Sequence, residues 1–469
     1  MTEGHSGIAS VARPGYASVL LRRWMAVWNS PSNRARTGRG MLLVLVALLP
    51  IHAGLVAFGV PDWWKEVLVW VTLFVALTLP SSARLERLDW LAGIYFALFL
   101  VSAAVHRVTN FADLSPYFVY VPFAIIVPRL LVKPGDVALL VYVAIGSLLF
   151  NALWILGTRL GVIDVPNLFS LDGPSWRTTG SLTGGALATA TLYGVASGVT
   201  WIAAAMSRRP GRHMVLALAL TIAGALTGSR ASLVASGLGA LIAIALTAAR
   251  LRSRHRAGPV LIFVCVVISV AAILLAPRAL RADDSLRASR WQATISLAVH
   301  NPLLGAGPGA TSQSRVMREL GLPANASPPD NLLGTRVSES SVLKVPAEVG
   351  VLALLLISAW VATVLTRAGV LRPLNLYGRP FAYVGPAVVI LTIVNGVTYQ
   401  NMESFVGATL FWLGIGLCRA RWTTEKRDSI QVPALERPRL DVSTRSGSPS
   451  SLSTQKRAIK SLGIEAPEL

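Results

Sequence analysis

From residue 41 to residue 418 the chain is a succession of apolar runs, most of them about twenty residues long, joined by short polar connections. That run length constrains the fold more than any other feature. A hydrocarbon layer about 30 Å thick takes about twenty helical residues to cross. Inside it each backbone N–H and C=O must be satisfied by the segment itself or by a closed barrel. Barrel strands need only about 9–11 residues, so these runs read as helices. The expected fold is all-α: a polytopic membrane protein with about 12 transmembrane helices and one large extracytoplasmic loop containing short helices. The runs fall near 41–59, 63–80, 88–105, 115–131, 137–157, 182–205, 213–228, 231–248, 258–276, 342–366, 381–398 and 403–418. Within 115–131, Pro116, Pro122 and Pro128 break the run. Runs seven and eight meet at Gly228-Ser229-Arg230, a tight hairpin. Lys65 and Glu66 stand near one end of the second run, where long side chains reach the interface.

Composition agrees: hydrophobic residues make up 53% and charged residues 14%, against about 25% charged in a soluble chain. Mean hydropathy is +0.59. The net charge of +21 does not signal nucleic acid. No platform of aromatic and basic residues for stacking bases accompanies it, and the positive residues sit in short joints and tails. With the N-terminus inside, 30 of the 43 Lys and Arg fall on the cytoplasmic side. Eight of the other 13 lie between Arg278 and Lys344. By the positive-inside rule this puts both termini in the cytoplasm and the long loop outside, in a plasma (inner) membrane protein. Residues 1–40 form a basic cytoplasmic tail, 41–418 the membrane domain with its extracytoplasmic loop at 277–341, and 419–469 a disordered cytoplasmic tail. Tyr16, Leu20, Trp24 and Val27 would share a helix face, so the first tail is either an interfacial helix or mobile. No secretory signal peptide is expected, because the first forty residues lack an apolar core. Cys265 and Cys418 both lie in apolar runs and read as small apolar residues, not as a disulfide or metal pair.

The one long polar excursion, Ser285 to Gly350, is where chemistry is expected. Leu286, Arg290, Trp291, Ile295 and Val299 have helical spacing after N-capping side chains at Asp283 to Ser285. Asn301-Pro302 ends that helix. His300 is read as part of that ending. Gly305, Gly307 and Gly309 then permit a tight turn that other backbone can approach closely. They do not make a dinucleotide fingerprint, since no βαβ unit surrounds them. Walker A, HExxH and Gly-x-Ser-x-Gly motifs and cysteine and histidine metal spacing are all absent. What stands out is arginine on the outer side: Arg177 in WRTTGSLTGG, Arg230 in LTGSRASLVA and Arg290 in RWQATISLAVHNPLLGAGPG. Guanidinium groups are always charged and fork onto pairs of phosphate oxygens, so three converging on one point would suit a pyrophosphate. Taken singly, each is equally well read as snorkelling to a headgroup.

These stretches, with ESSVLKVPAEVGVLALLLI entering the next run, resemble the O-antigen polymerase and ligase family of polytopic membrane glycosyltransferases over roughly residues 175–360. The resemblance implies transfer of glycan from a polyprenyl-pyrophosphate carrier on the extracytoplasmic face, without a metal, cofactor or nucleotide sugar. It makes Arg177, Arg230 and Arg290 the pyrophosphate-binding candidates. The implied partners are a polyprenyl-pyrophosphate-linked oligosaccharide and membrane lipids, with a chain-length regulator as a further one, and no nucleic acid. Ligases of the family carry a His-Asn or His-Ser pair about eleven residues before a glycine that starts the next span. The equivalent here, counted back from Gly350, is Glu339-Ser340, which looks more like a polymerase. Glu339 would accept the proton of an attacking sugar hydroxyl; its structural alternative is a helix cap paired with Lys344 or Arg336. Glu348 also recurs in the pattern and reads as structural. Gln400, Asn401 and Glu403 form a polar outer turn. The expected function is therefore a polysaccharide polymerase using Glu339 and Arg290 catalytically. A ligase delivering finished glycan to a lipid or protein is the alternative. A secondary transporter is the reading from another class, disfavoured because no internal repeat is evident and charges avoid the run centres.

Overall fold

A computed structural model describes residues 30–79, 89–163, 181–183, 186–227, 230–251, 284–319, 321, 340–369, 380–398 and 405–431. Among these residues every regular element is a helix. The chain divides into two units, Met1–Glu425 and Lys426–Leu469, and the described part of the second is helical. Three described helices are long and apolar enough to cross a membrane: Pro31–Ala57, Pro134–Thr158 and Ala188–Met206. Six shorter apolar helices accompany them: Asp89–Val105, Pro210–Leu226, Ser232–Ala248, Val351–Arg367, Val384–Val397 and Phe405–Ala420. The all-helical membrane class is thus met. The count of twelve is not established, and the expected run at 258–276 lies outside the described residues, as does the Tyr16–Val27 segment.

The first helix, α1 (Pro31–Leu48), begins inside what reads as the N-terminal tail, with Pro31 at a first-turn position that needs no donor. A short 3₁₀ turn at Leu49–Ile51 leads to α2 (His52–Ala57), and α3 (Trp64–Leu77) returns. Next come α4 (Asp89–Val105), α5 (Phe111–Phe118) and α6 (Phe123–Leu130). The proline-rich run is therefore two short helices with a turn between them. Then follow α7 (Pro134–Arg159), α8 (Ala186–Met206), α9 (Pro210–Leu226) and α10 (Arg230–Leu251). The loop contributes α11 (Asp284–His300), α12 (Gln313–Glu319) and α13 (Ser341–Glu348). Last are α14 (Val351–Arg367), α15 (Val384–Thr398) and α16 (Phe405–Gln431), the final one continuing well past residue 419.

Helix α8 is central: 89% of its span window is buried, against 33% and 28% for the other two long spans. It packs on α9, α10 and α15. Lipid supplies no hydrophobic drive between helices, so close backbone approach must hold them. Gly198 and Gly239 provide it, since a Cβ on Gly239 would stand 2.2 Å from the Gly198 Cα. The expected single run at 342–366 is two helices, α13 and α14, broken at Gly350. There φ is +109°, and a Cβ would meet the Leu303 carbonyl oxygen at 2.2 Å. The Val351 N–H bonds the Pro302 carbonyl at 2.8 Å, so the loop lies directly across the break.

Candidate functional site

The loop helix α11 packs on α13 and ends at His300, as its Asn-Pro sequence dictates. The chain then runs through Pro302–Ser312 as a glycine-rich strap laid over the end of α13. The Ala306 N–H donates to the Ala347 carbonyl (2.8 Å) and the Gly307 N–H to that of Glu348 (3.1 Å). Gly305 has φ +64° and would place a Cβ 2.3 Å from the Glu348 backbone. Only glycine passes there without strain.

Glu348 is the hub. Its side chain is fully buried and accepts from the Gly309 N–H (2.7 Å), the Thr311 N–H (2.8 Å), the Thr311 hydroxyl (2.7 Å) and the Tyr117 hydroxyl of α5. Lys344, one turn earlier and also buried, lies 3.4 Å from the same carboxylate. A buried charge with this many donors is satisfied and rigid. Three further ties hold the strap. Ser102 on α4 donates to the Leu304 carbonyl (2.6 Å) and the Glu348 carbonyl (3.1 Å). The His106 ring lies 3.0 Å from the Gly305 carbonyl. Arg318 of α12 pairs with buried Asp113 of α5. The structural reading of Glu348 and of the glycine turn therefore holds.

Of the sequence-derived site residues, Arg290 lies in the first half of α11, half-buried, and its carbonyl accepts from the Thr294 hydroxyl at 2.8 Å. Arg230 opens α10, but its side chain is not among those described. Arg177 and Glu339 lie outside the described residues, as do Gln400, Asn401 and Glu403. Glu339 does, however, immediately precede Ser340, and Ser340 is the N-cap of α13. Its hydroxyl accepts from the Leu343 N–H and donates to the Gly396 carbonyl, each at 3.3 Å. Ser340 thus caps α13, and Lys344 pairs with Glu348.

Beside α13 an apolar cavity of about 300 Å³ runs from Ser341 and Lys344 past Leu354 and Ile357 to Leu365. Its wall follows α14 for most of its length.

A second polar cluster gathers around Lys65 and Glu66, with partners that the sequence did not reveal. Lys65 is enclosed by neighbouring side chains. Its side chain is 6% exposed and its ammonium lies 2.6 Å from Asp62 and 3.3 Å from Glu66. The Tyr120 hydroxyl donates to Glu66 (3.0 Å), and the His52 ring nitrogen Nε2 is 3.2 Å from Asp62. The signal was there: charged residues within an apolar run mark a functional site by default.

All of this defines a helical membrane protein whose polar loop is tied down by buried charge. Residues 214–358 match the family model described as O-antigen ligase, which supports an O-antigen polymerase/ligase-like family for the chain. The matched stretch holds the strap, Arg230, Arg290, Lys344 and Glu348. No curated protein matches. At family level the match supports a ligase/polymerase-type membrane enzyme and is consistent with a lipid-linked glycan substrate.

Proposed function

We propose that the protein is a polysaccharide polymerase that moves glycan from a polyprenyl-pyrophosphate carrier to a lipid-linked glycan acceptor on the extracytoplasmic face. The observation that carries this reading is at the start of α13. Ser340 is buried and caps the helix, so the carboxylate one residue earlier is not needed as its cap. In this reading Glu339 accepts the acceptor hydroxyl's proton, with pyrophosphate as leaving group. Arg177, Arg230 and Arg290 would hold the pyrophosphate, and the apolar cavity along α14 has the form to take part of a carrier chain. The description of the matched family favours a second reading, a ligase. Lipid-linked glycans that accumulate on deleting the protein separate the two. Single repeat units on carrier are expected of a polymerase; long chains left on carrier would establish the ligase. With purified protein and lipid-linked substrate, Glu339→Gln should abolish polymer without loss of protein. Arg290→Lys should slow it about ten- to hundred-fold, the equivalent of about 1.5–3 kcal/mol for one charge-assisted hydrogen bond. Wild-type rates in both variants would remove these residues from the site.

A further inference from the structure

Helix α5 separates the Glu348 hub from a cavity of about 790 Å³ on its other side, within the size range of ligand pockets of about 300–1,000 Å³. The cavity is lined by Asp62 from the α2–α3 turn, Lys65 and Glu66 from the first turn of α3, His52 from α2, Ser115 and Tyr120 from the α5–α6 segment and Phe405 from α16. None of these residues lies in the stretch matched to the family model. Two polar atoms here are buried with no hydrogen-bond partner among the described residues, Glu66 Oε2 and His52 Nδ1. Aromatic faces stand around them. Trp63 is 63% exposed, Trp70 46% and Phe111 61%, and all three line the cavity. The Phe405 ring stacks edge-on against His52 at 4.9 Å and lies 5.4 Å from the Lys65 ammonium.

We propose that this cavity is a carbohydrate subsite that receives a pyranose unit of the glycan. The step rests on the glycan-handling reading above and adds where a sugar ring sits. A sugar hydroxyl both donates and accepts, and the cavity offers acceptors on Glu66 and Asp62 and mixed groups on Tyr120 and His52. The C–H faces of a pyranose are apolar and lie flat on aromatic rings such as those of Trp63 and Trp70. Other occupants fit less well. A pyrophosphate would face two carboxylates and one ammonium already paired with both. A metal cation would have to displace that ammonium. A prenyl or acyl tail would strand the unpaired carboxylate oxygen, and the cavity along α14 suits it better. A belt of interfacial aromatics accounts for Trp63 and Trp70 but not for Glu66 Oε2 and His52 Nδ1 behind them.

The test uses full-length protein in nanodiscs. The probe is fluorescently labelled di- to octasaccharides made by partial acid hydrolysis of the source cells' own envelope polysaccharide. Saturable binding to the wild type is expected, weakened at least ten-fold by Glu66→Gln and by Trp63→Ala. Trp63 is largely exposed, so its variant keeps the test open if the Glu66 variant does not fold. Absence of binding to the wild type, or wild-type binding by both variants, overturns the subsite. Polymer synthesis is scored separately. Normal polymer with no sugar binding here sinks the subsite alone. Sugar binding that depends on Trp63 in a protein whose deletion leaves lipid-linked glycans unchanged sinks the polymerase reading and leaves the subsite standing.

Discussion

The two polar clusters on either side of α5 are built from similar residues and differ in one respect. Around Glu348, a carboxylate, a lysine and a tyrosine are joined by backbone N–H groups of the strap, and the carboxylate is fully enclosed. Around Glu66, a carboxylate, a lysine and a tyrosine meet as well, yet among the described residues no strap closes over them and one buried carboxylate oxygen has no partner. The closed cluster spends its hydrogen-bonding capacity on holding the loop. The open one keeps some of it available. Buried ionic groups tolerate no half measures, because an unpaired donor or acceptor loses its hydration without compensation. A satisfied cluster therefore reads as architecture, and an unsatisfied one beside a cavity reads as a place for a ligand.

The comparison breaks most sharply at the two carboxylates themselves. Glu348→Ala would leave Lys344 buried beside orphaned N–H groups, at a cost of about 3–5 kcal/mol. The expected result is a large loss of folded protein by thermal unfolding in detergent. Glu66→Ala should do far less damage, since Lys65 keeps Asp62 at 2.6 Å. Equal losses in the two variants would erase the distinction between closed and open.

A smaller effect is expected at the strap. Gly305→Ala forces a side chain into φ +64° against the Glu348 backbone and should destabilise by about 1–3 kcal/mol. If the strap positions Arg290 and the start of α13, polymer synthesis should fall along with stability. An unchanged melting temperature would mean that the strap does not bear on α13.

The smallest expected effect is at the cap. Ser340→Ala removes one side-chain bond to the Leu343 N–H and should cost about 1 kcal/mol. Activity should persist, whereas Glu339→Gln is expected to abolish it at unchanged stability. A melting profile in which Glu339→Gln costs as much as Ser340→Ala would return Glu339 to a capping role.

What could be read from the chain alone was whatever depends on neighbours in sequence. Apolar runs of spanning length, the end of α11 at Asn301-Pro302 and the glycine turn after it all follow from local rules. So did the break of 115–131 at Pro122, whereas Pro116 and Pro128 stand inside the helices on either side of it. Hydropathy also located the polar loop. The run at 342–366 was read as one helix because its break at Gly350 is imposed from outside, by the Leu303 carbonyl lying across it. Lys65 was assigned to the interface because snorkelling is the ordinary fate of a lysine near a span end. Only the tertiary structure shows it enclosed by Asp62, Glu66 and the ring of Phe405. The same limit applies to Glu348, whose tyrosine partner is 231 residues away in sequence. Transfer into lipid is a property of each segment and can be summed along the chain. Pairing of buried charge depends on which segments meet, and that is decided when small residues such as Gly198 and Gly239 let particular helices approach.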